Sequence, residues 1–138
     1  MNSIPGLYMN QDDSGQALEY YRKSLKIAGE IGRKVRMASS LKSIGAIYGN
    51  QNDISLALEY YHRSLDMYEE INYRAGMASS LNNIGVIYSG EGDSTQALLF
   101  FRKSLAIKEE LGDKEGMAYS LSSMGNLYET MGEAKTAL

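Results

Sequence analysis

Apolar residues return along this chain with a helical period. Met37, Leu41, Ile44 and Tyr48 stand at offsets 0, 4, 7 and 11, which is one face of a helix. Leu58, Tyr61, Leu65, Tyr68 and Ile71 make a second stripe of the same kind. No run alternates with the two-residue period of a strand. Between the stripes fall Gly, Asn and Asp, the residues that best accept a left-handed backbone at a helix stop. Asp12, Asn52, Gly92 and Gly132 share one such position; Gly32, Asn72 and Gly112 share another. Asp13, Asp53 and Asp93 follow the first stop and are suited to cap the next helix; Glu133 is a poorer cap.

The whole pattern repeats every forty residues. Gly45, Gly85 and Gly125 keep that step, as do Leu41, Leu81 and Leu121, and Tyr8, Tyr48, Tyr88 and Tyr128. So do Ala17-Leu18, Ala57-Leu58, Ala97-Leu98 and Ala137-Leu138. A period in this range marks a stacked array of supersecondary units. The expected helices are 14–31, 34–50, 54–71, 74–90, 94–111 and 114–130, with a remnant before 10 and a stub from 133. Connections of two to four residues make neighbours antiparallel. The expected fold is all-α: one domain over 1–138, with a partial unit at 1–33, repeats at 34–73 and 74–113, and a partial unit at 114–138. Gly at 45, 85 and 125 costs about 1 kcal/mol relative to Ala inside a helix. That cost implies close approach of a partner helix, with Ala57, Ala97 and Ala137 as the small residues facing it. Tyr48 with Tyr61, and Tyr88 with Phe101, then fill the space alongside.

These residues resemble the tetratricopeptide repeat. Leu41, Ile44-Gly45 and Tyr48 match its first-helix signature, as do Leu81, Ile84-Gly85, Tyr88 and Leu121, Met124-Gly125, Tyr128. Ala17, Tyr21, Ser24, then Ala57, Tyr61, Ser64 and Ala97, Phe101, Ser104 match the second. The period is forty rather than thirty-four, and Glu69 and Glu109 replace the Pro that closes the second helix. In this the chain resembles the long-repeat subgroup of Pins-type G-protein signalling modulators and bacterial sensor and regulator domains, and more distantly kinesin light chains. The resemblance implies a right-handed α-solenoid. Its first helices would line a concave groove that binds a peptide segment of a partner protein without catalysis.

Counted around the helix, the groove face holds Ser39, Lys42, Ser43, Ala46 and Asn50; then Ser79, Asn82, Asn83, Val86 and Ser89; then Tyr119, Ser122, Ser123, Asn126 and Glu129. The amides of Asn82, Asn83 and Asn126 are expected to pair with a ligand's main chain. Lys34, Arg36, Arg74 and Lys114 would rim the groove and favour an acidic segment. The carboxylate clamp of other members of the family is incomplete. Lys42 fits it, and Asn83 fits in the next repeat, but Ala46 stands where an Asn is needed and Ser123 and Tyr119 replace cations.

Composition narrows the function classes. The chain has no Cys and one His, which removes thiol chemistry and leaves no His-rich metal site. His62 takes the place of Arg22 and Arg102 and reads as an exposed polar position. Glu69-Glu70 and Glu109-Glu110 are consecutive on a helix and so point about 100° apart. Glu91-Gly92-Asp93 lacks the alternating acids of a calcium loop. No phosphate loop, dinucleotide fingerprint or nucleophile elbow occurs. No enzyme and no cofactor are expected. A net charge of -3 argues against nucleic acid and anionic membranes. No stretch is apolar enough to span a bilayer and no signal peptide is visible, so a cytoplasmic place is expected. Leu99-Phe100 replaces Glu-Tyr and forms an apolar patch on the outer face of its helix. The incomplete terminal units, with Pro5 at a Gly position, suggest a fragment of a longer array or a chain that stacks on itself. Self-assembly into a homo-oligomer, or a regulatory segment of a larger signalling protein, are therefore the alternatives to peptide binding.

Overall fold

The computed structural model describes the backbone of residues 11–137 and the side chains of 16–133. The expectations for Pro5, Tyr8, Leu138 and the Ala137 side chain lie outside these. Among the described residues five helices follow one another: α1 Gln11–Asn50, α2 Ile54–Glu70, α3 Arg74–Gly90, α4 Ser94–Leu111 and α5 Lys114–Ala137. No strand occurs among the described residues. The fold is an all-α solenoid of antiparallel helix pairs.

The middle of the chain follows the local chemistry closely. Asn52, Asn72, Gly92 and Gly112 all take the left-handed conformation, with φ of 62, 54, 79 and 69°. Each ends a helix where a side chain with little steric demand sits at the stop. Asp53 accepts from the Leu56 N–H at 3.3 Å, and Asp93 from the Gln96 N–H at 3.1 Å. Asp113 does the same for the Gly116 N–H at 3.0 Å, a cap that the spacing of Asp13, Asp53 and Asp93 does not include.

Two expected stops are not used. Gly32 lies inside α1, which runs unbroken where two helices, 14–31 and 34–50, are expected; it also begins at Gln11, so Asp12 and Asp13 lie within it. Gly132 lies inside α5, which absorbs the expected stub. The physical reason is the same in both. A helix stop gives up backbone hydrogen bonds and is repaid by docking the helix that follows. Beside Gly32, the stripe Leu18, Tyr21 and Leu25 is 53, 66 and 72% exposed, so no burial favours a turn. Beside Gly132, Leu121 and Tyr128 are 54 and 49% exposed. One interior Gly costs only about 1 kcal/mol, and the helix continues.

The chain divides into two units, residues 1–33 and 34–138. The first comprises, among described residues, the opening turns of α1, whose apolar side chains are exposed. The second holds the core. Ala57, Tyr61, Leu65, Ala78, Leu81, Ile84 and Ile107 pack in one cluster, and Ala97, Leu98, Phe101 and Leu127 in another. Gly45 and Gly85 admit close approach, but the nearest groups are aromatic rings rather than the alanines, and nothing lies within 4 Å of a Cβ on Gly125. A Cβ on Gly45 would stand 2.9 Å from the Tyr61 ring and 3.3 Å from the Ala57 carbonyl oxygen; one on Gly85 would stand 2.9 Å from the Phe101 ring. Ser64 and Ser104, fully buried, donate to the Ala38 and Ala78 carbonyls at 2.9 and 2.8 Å. A stripe of small residues thus carries hydrogen bonds between paired helices, where an apolar side chain would leave those hydroxyl positions empty.

Candidate functional site

The first half of α3, the end of α4 and the start of α5 line a cleft of about 260 Å³. Ala75, Ala78, Ser79, Asn82 and Asn83 line it from α3, Lys108 and Leu111 from α4, and Asp113, Gly116 and Tyr119 from the turn and α5. Of the expected groove residues it brings together Ser79, Asn82, Asn83 and Tyr119. Val86, Ser89, Ser123 and Asn126 line a second hollow, of about 300 Å³, with Gly90 and Phe101. Ser39, Ser43, Ala46, Asn50, Ser122 and Glu129 are exposed and line neither. Lys42 is half-buried and donates to Ser79 Oγ at 2.8 Å. Burial holds its ammonium pKa below the ordinary 10.5.

Asn82 is the most informative residue of the cleft. It is only 8% exposed, and its Oδ1 is buried without accepting a hydrogen bond from the protein. Leaving such an acceptor unsatisfied costs about 1–3 kcal/mol. The atom sits in a cleft, and an N–H donor entering that cleft would remove the cost.

Lys108 is the residue that the pattern alone misses. Tyr68 and Ala28 hold the corresponding positions in the other units, and Tyr68 is buried. A cation in the register of a core aromatic is the signal that was available. Lys108 is also 8% exposed; its Nζ donates to Ser120 Oγ at 3.0 Å and lies 5.5 Å from the centre of the Tyr119 ring. Gly116 makes room for the Asp113 carboxylate and for Lys108, since a Cβ there would run into the first and come within 2.9 Å of Lys108 Cδ. Gly76 does the same beneath Tyr68, since a Cβ there would run into its ring. Burial lowers the Lys108 pKa, opposed by the negative charge of Asp113.

The depressed pKa carries a pH signature. Below the lowered value both folded and unfolded chains hold the proton, and the cost of the buried charge is fully present. Between that value and 10.5 the unfolded chain binds more protons than the folded one, so stability rises with pH. Lys108→Met is expected to remove this rise. Denaturant melts of both proteins at pH 7 and pH 10 measure it; identical pH slopes would refute it. Lys42, whose pKa is likewise lowered by burial, adds its own rise to both proteins, and Tyr61 and Tyr68, whose pKa values are raised by burial, also contribute equally to both, so the difference between the two pH slopes reports Lys108.

Two of the four residues of the basic ladder are paired. Lys34 pairs with Glu70 at 2.8 Å, and Arg74 pairs with Glu110, each pair 36 residues apart and bridging consecutive helices. Arg36 and Lys114 are exposed. The outer Leu99-Phe100 patch is smaller than expected. Leu99 is 44% exposed, but Phe100 stacks on Tyr88 at 5.7 Å, meets the exposed His62 edge-on and carries Lys103 at 5.2 Å. Among the described residues no cluster of His, Asp and Glu could hold a metal ion, and no helix is long and apolar enough to cross a membrane.

Comparison with known proteins agrees with this architecture. No curated protein matches the chain. Among solved structures it is similar to BtubC (BKLC) from P. vanneervenii, with a TM-score of 0.66 and 24% identity over 89% of this chain. The match covers 52% of that protein, so this chain spans about half its length. The family model of the tetratricopeptide repeat matches residues 6–70 and 76–138. With that model covering most of its length, and with glycine-backed aromatic rings recurring between paired helices, the chain belongs to the tetratricopeptide repeat family.

Proposed function

We propose that the protein is a non-catalytic interaction module that holds an extended segment of a partner protein along α3 and α5. Tetratricopeptide repeats are in general protein-interaction modules, and the finer reading is supported here by Asn82 Oδ1. It is a buried acceptor on a cleft wall, and the main-chain N–H of an extended segment is the donor that fits. Asn83 beside it offers a second amide, and Asn126 extends the polar track into the neighbouring hollow. Lys42 and Lys108 add positive charge at the cleft, which favours a segment with an acidic side chain. The forty-residue period supports kinship with the long-repeat subgroup typified by Pins-type modulators and bacterial sensor domains, and a cytoplasmic partner is the natural one for such a module.

The reading makes a paired prediction. Asn82→Leu removes the unsatisfied acceptor, so the free protein is expected to gain stability, up to about 1–3 kcal/mol. A peptide selected on an array of extended acidic sequences is expected to bind this variant at least tenfold more weakly, by fluorescence anisotropy. Replacing Asn82, Asn83 and Asn126 together by Ala should abolish the signal. Unchanged peptide affinity in the triple variant would sink the groove model.

A further inference from the structure

The Asn82 cleft and the neighbouring hollow lie on one track. Ser79, Asn82, Val86 and Ser89 recur on α3 at steps of three and four, which is one helix face, and Gly116, Tyr119, Ser123 and Asn126 do the same on α5. The first two of each set line the cleft and the last two line the hollow. The third wall, α4, runs the other way, with Lys108 at the cleft and Phe101 at the hollow. Along each wall the centres of the two sets of lining residues are about eight or nine residues apart, which is about 13 Å at the rise of an α-helix.

The two depressions differ in chemistry. Two ammonium groups at the cleft have only hydroxyl partners. Lys108 Nζ donates to Ser120 Oγ at 3.0 Å, and Lys42 Nζ donates at 2.8 Å to Ser79 Oγ, on the cleft wall. Neither forms an ion pair among the described residues, and Asp113 acts on Lys108 only from beyond ion-pair distance. A carboxylate entering there would gain charge-assisted hydrogen bonds. The hollow is apolar where it meets the core: Phe101 is 2% exposed, and Val86 beside it is 45% exposed. A large apolar side chain seated there would take that surface out of water. Asn82 Oδ1, near the end of the cleft closest to the hollow, lacks a donor, and an extended main chain running past it brings N–H groups.

We propose that the groove selects an extended segment in which an acidic residue and a large apolar residue stand four positions apart. An extended chain rises about 3.3 Å per residue, so four positions span about 13 Å, and residues an even number apart point to the same side. The acid enters the cleft beside Lys108 and Lys42, and the apolar side chain enters the hollow against Val86 and Phe101. This spacing rule rests on the peptide-binding reading of the groove and gives that reading a sequence.

Blocked peptides of Ser and Thr that carry one Glu and one Leu, one to six positions apart in either order, test it by fluorescence anisotropy. Affinity is expected to peak at a separation of four in at least one order, about tenfold above separations of three and five, where the Leu points out of the groove. Replacing Glu by Gln in the best peptide should cost about tenfold as well. Val86→Asp, at an exposed position, is expected to erase the advantage of Leu and leave that of Glu. Lys108→Met is expected to remove most of the advantage of Glu and leave that of Leu. Both variants should keep the helicity of the wild type by circular dichroism. Binding that does not depend on separation, or that peaks elsewhere, overturns the spacing rule and leaves the peptide-binding reading standing; so does a folded Val86→Asp protein that weakens every peptide alike. No binding by any peptide of the series overturns both.

Discussion

Phe101→Ala is expected to cost about 3–5 kcal/mol, the range for emptying a buried aromatic site. Phe101 is 2% exposed and lies in the second core cluster with Ala97, Leu98 and Leu127. Its ring also fills the approach to Gly85, so truncation opens a cavity bounded by helix backbone that cannot collapse without moving α3 against α4. Since native domains are stable by only about 5–15 kcal/mol, this one change should shift the denaturant midpoint severely. Tyr21→Ala in the same repeat register is the control. Tyr21 is 66% exposed, and its removal in dilute solution should change stability by no more than about 0.5 kcal/mol. Equal losses at the two positions would show that the exposed ring is covered in solution.

The second large effect separates residues of one identity and one motif position. Gly85→Ala and Gly125→Ala gain the same helix propensity, about 1 kcal/mol each. At Gly125 nothing opposes the new methyl, so that variant is expected to be stabilised by the full amount. At Gly85 the methyl would meet the Phe101 ring at 2.9 Å, closer than van der Waals contact allows. Phe101 is too buried to swing away, and overpacking of this kind costs about 1–3 kcal/mol. The two variants should therefore differ by about 1–3 kcal/mol in chemical denaturation, with Gly125→Ala above the wild type. Matching stabilities would mean that the glycine register does not mark close helix approach.

The candidate site was legible in part. Asn82, Asn83 and Ser79 could be placed on one helix face by counting from Leu81, because an interior helix of an array keeps its periodicity. That Asn82 is 8% exposed with a lone acceptor could not, since burial depends on what α4 and α5 bring over it. Lys108 shows the limit more sharply. Its spacing marks it as the counterpart of a core Tyr, yet whether a cation there turns outward or inward depends on Ser120, Tyr119 and the space left by Gly116, all from the next helix. The pairing of the basic ladder was not legible for a related reason. Lys34 and Arg74 recur regularly, and so do the Glu70 and Glu110 that engage them, but only folding sets each pair side by side.

By itself the amino-acid order determined the repeat, the helix type and the stops at Asn52, Asn72, Gly92 and Gly112, where a residue suited to left-handed backbone is encoded and, at all but Asn72, an Asp cap follows it. Those are local free energies, and local spacing reports them. Tertiary structure alone decided whether a stop is used. Gly32 and Gly132 carry the same signal as Gly112 and Gly92, yet α1 and α5 run through them. A turn is stable only when the helix beyond it buries an apolar face, and that burial is a property of neighbours in space.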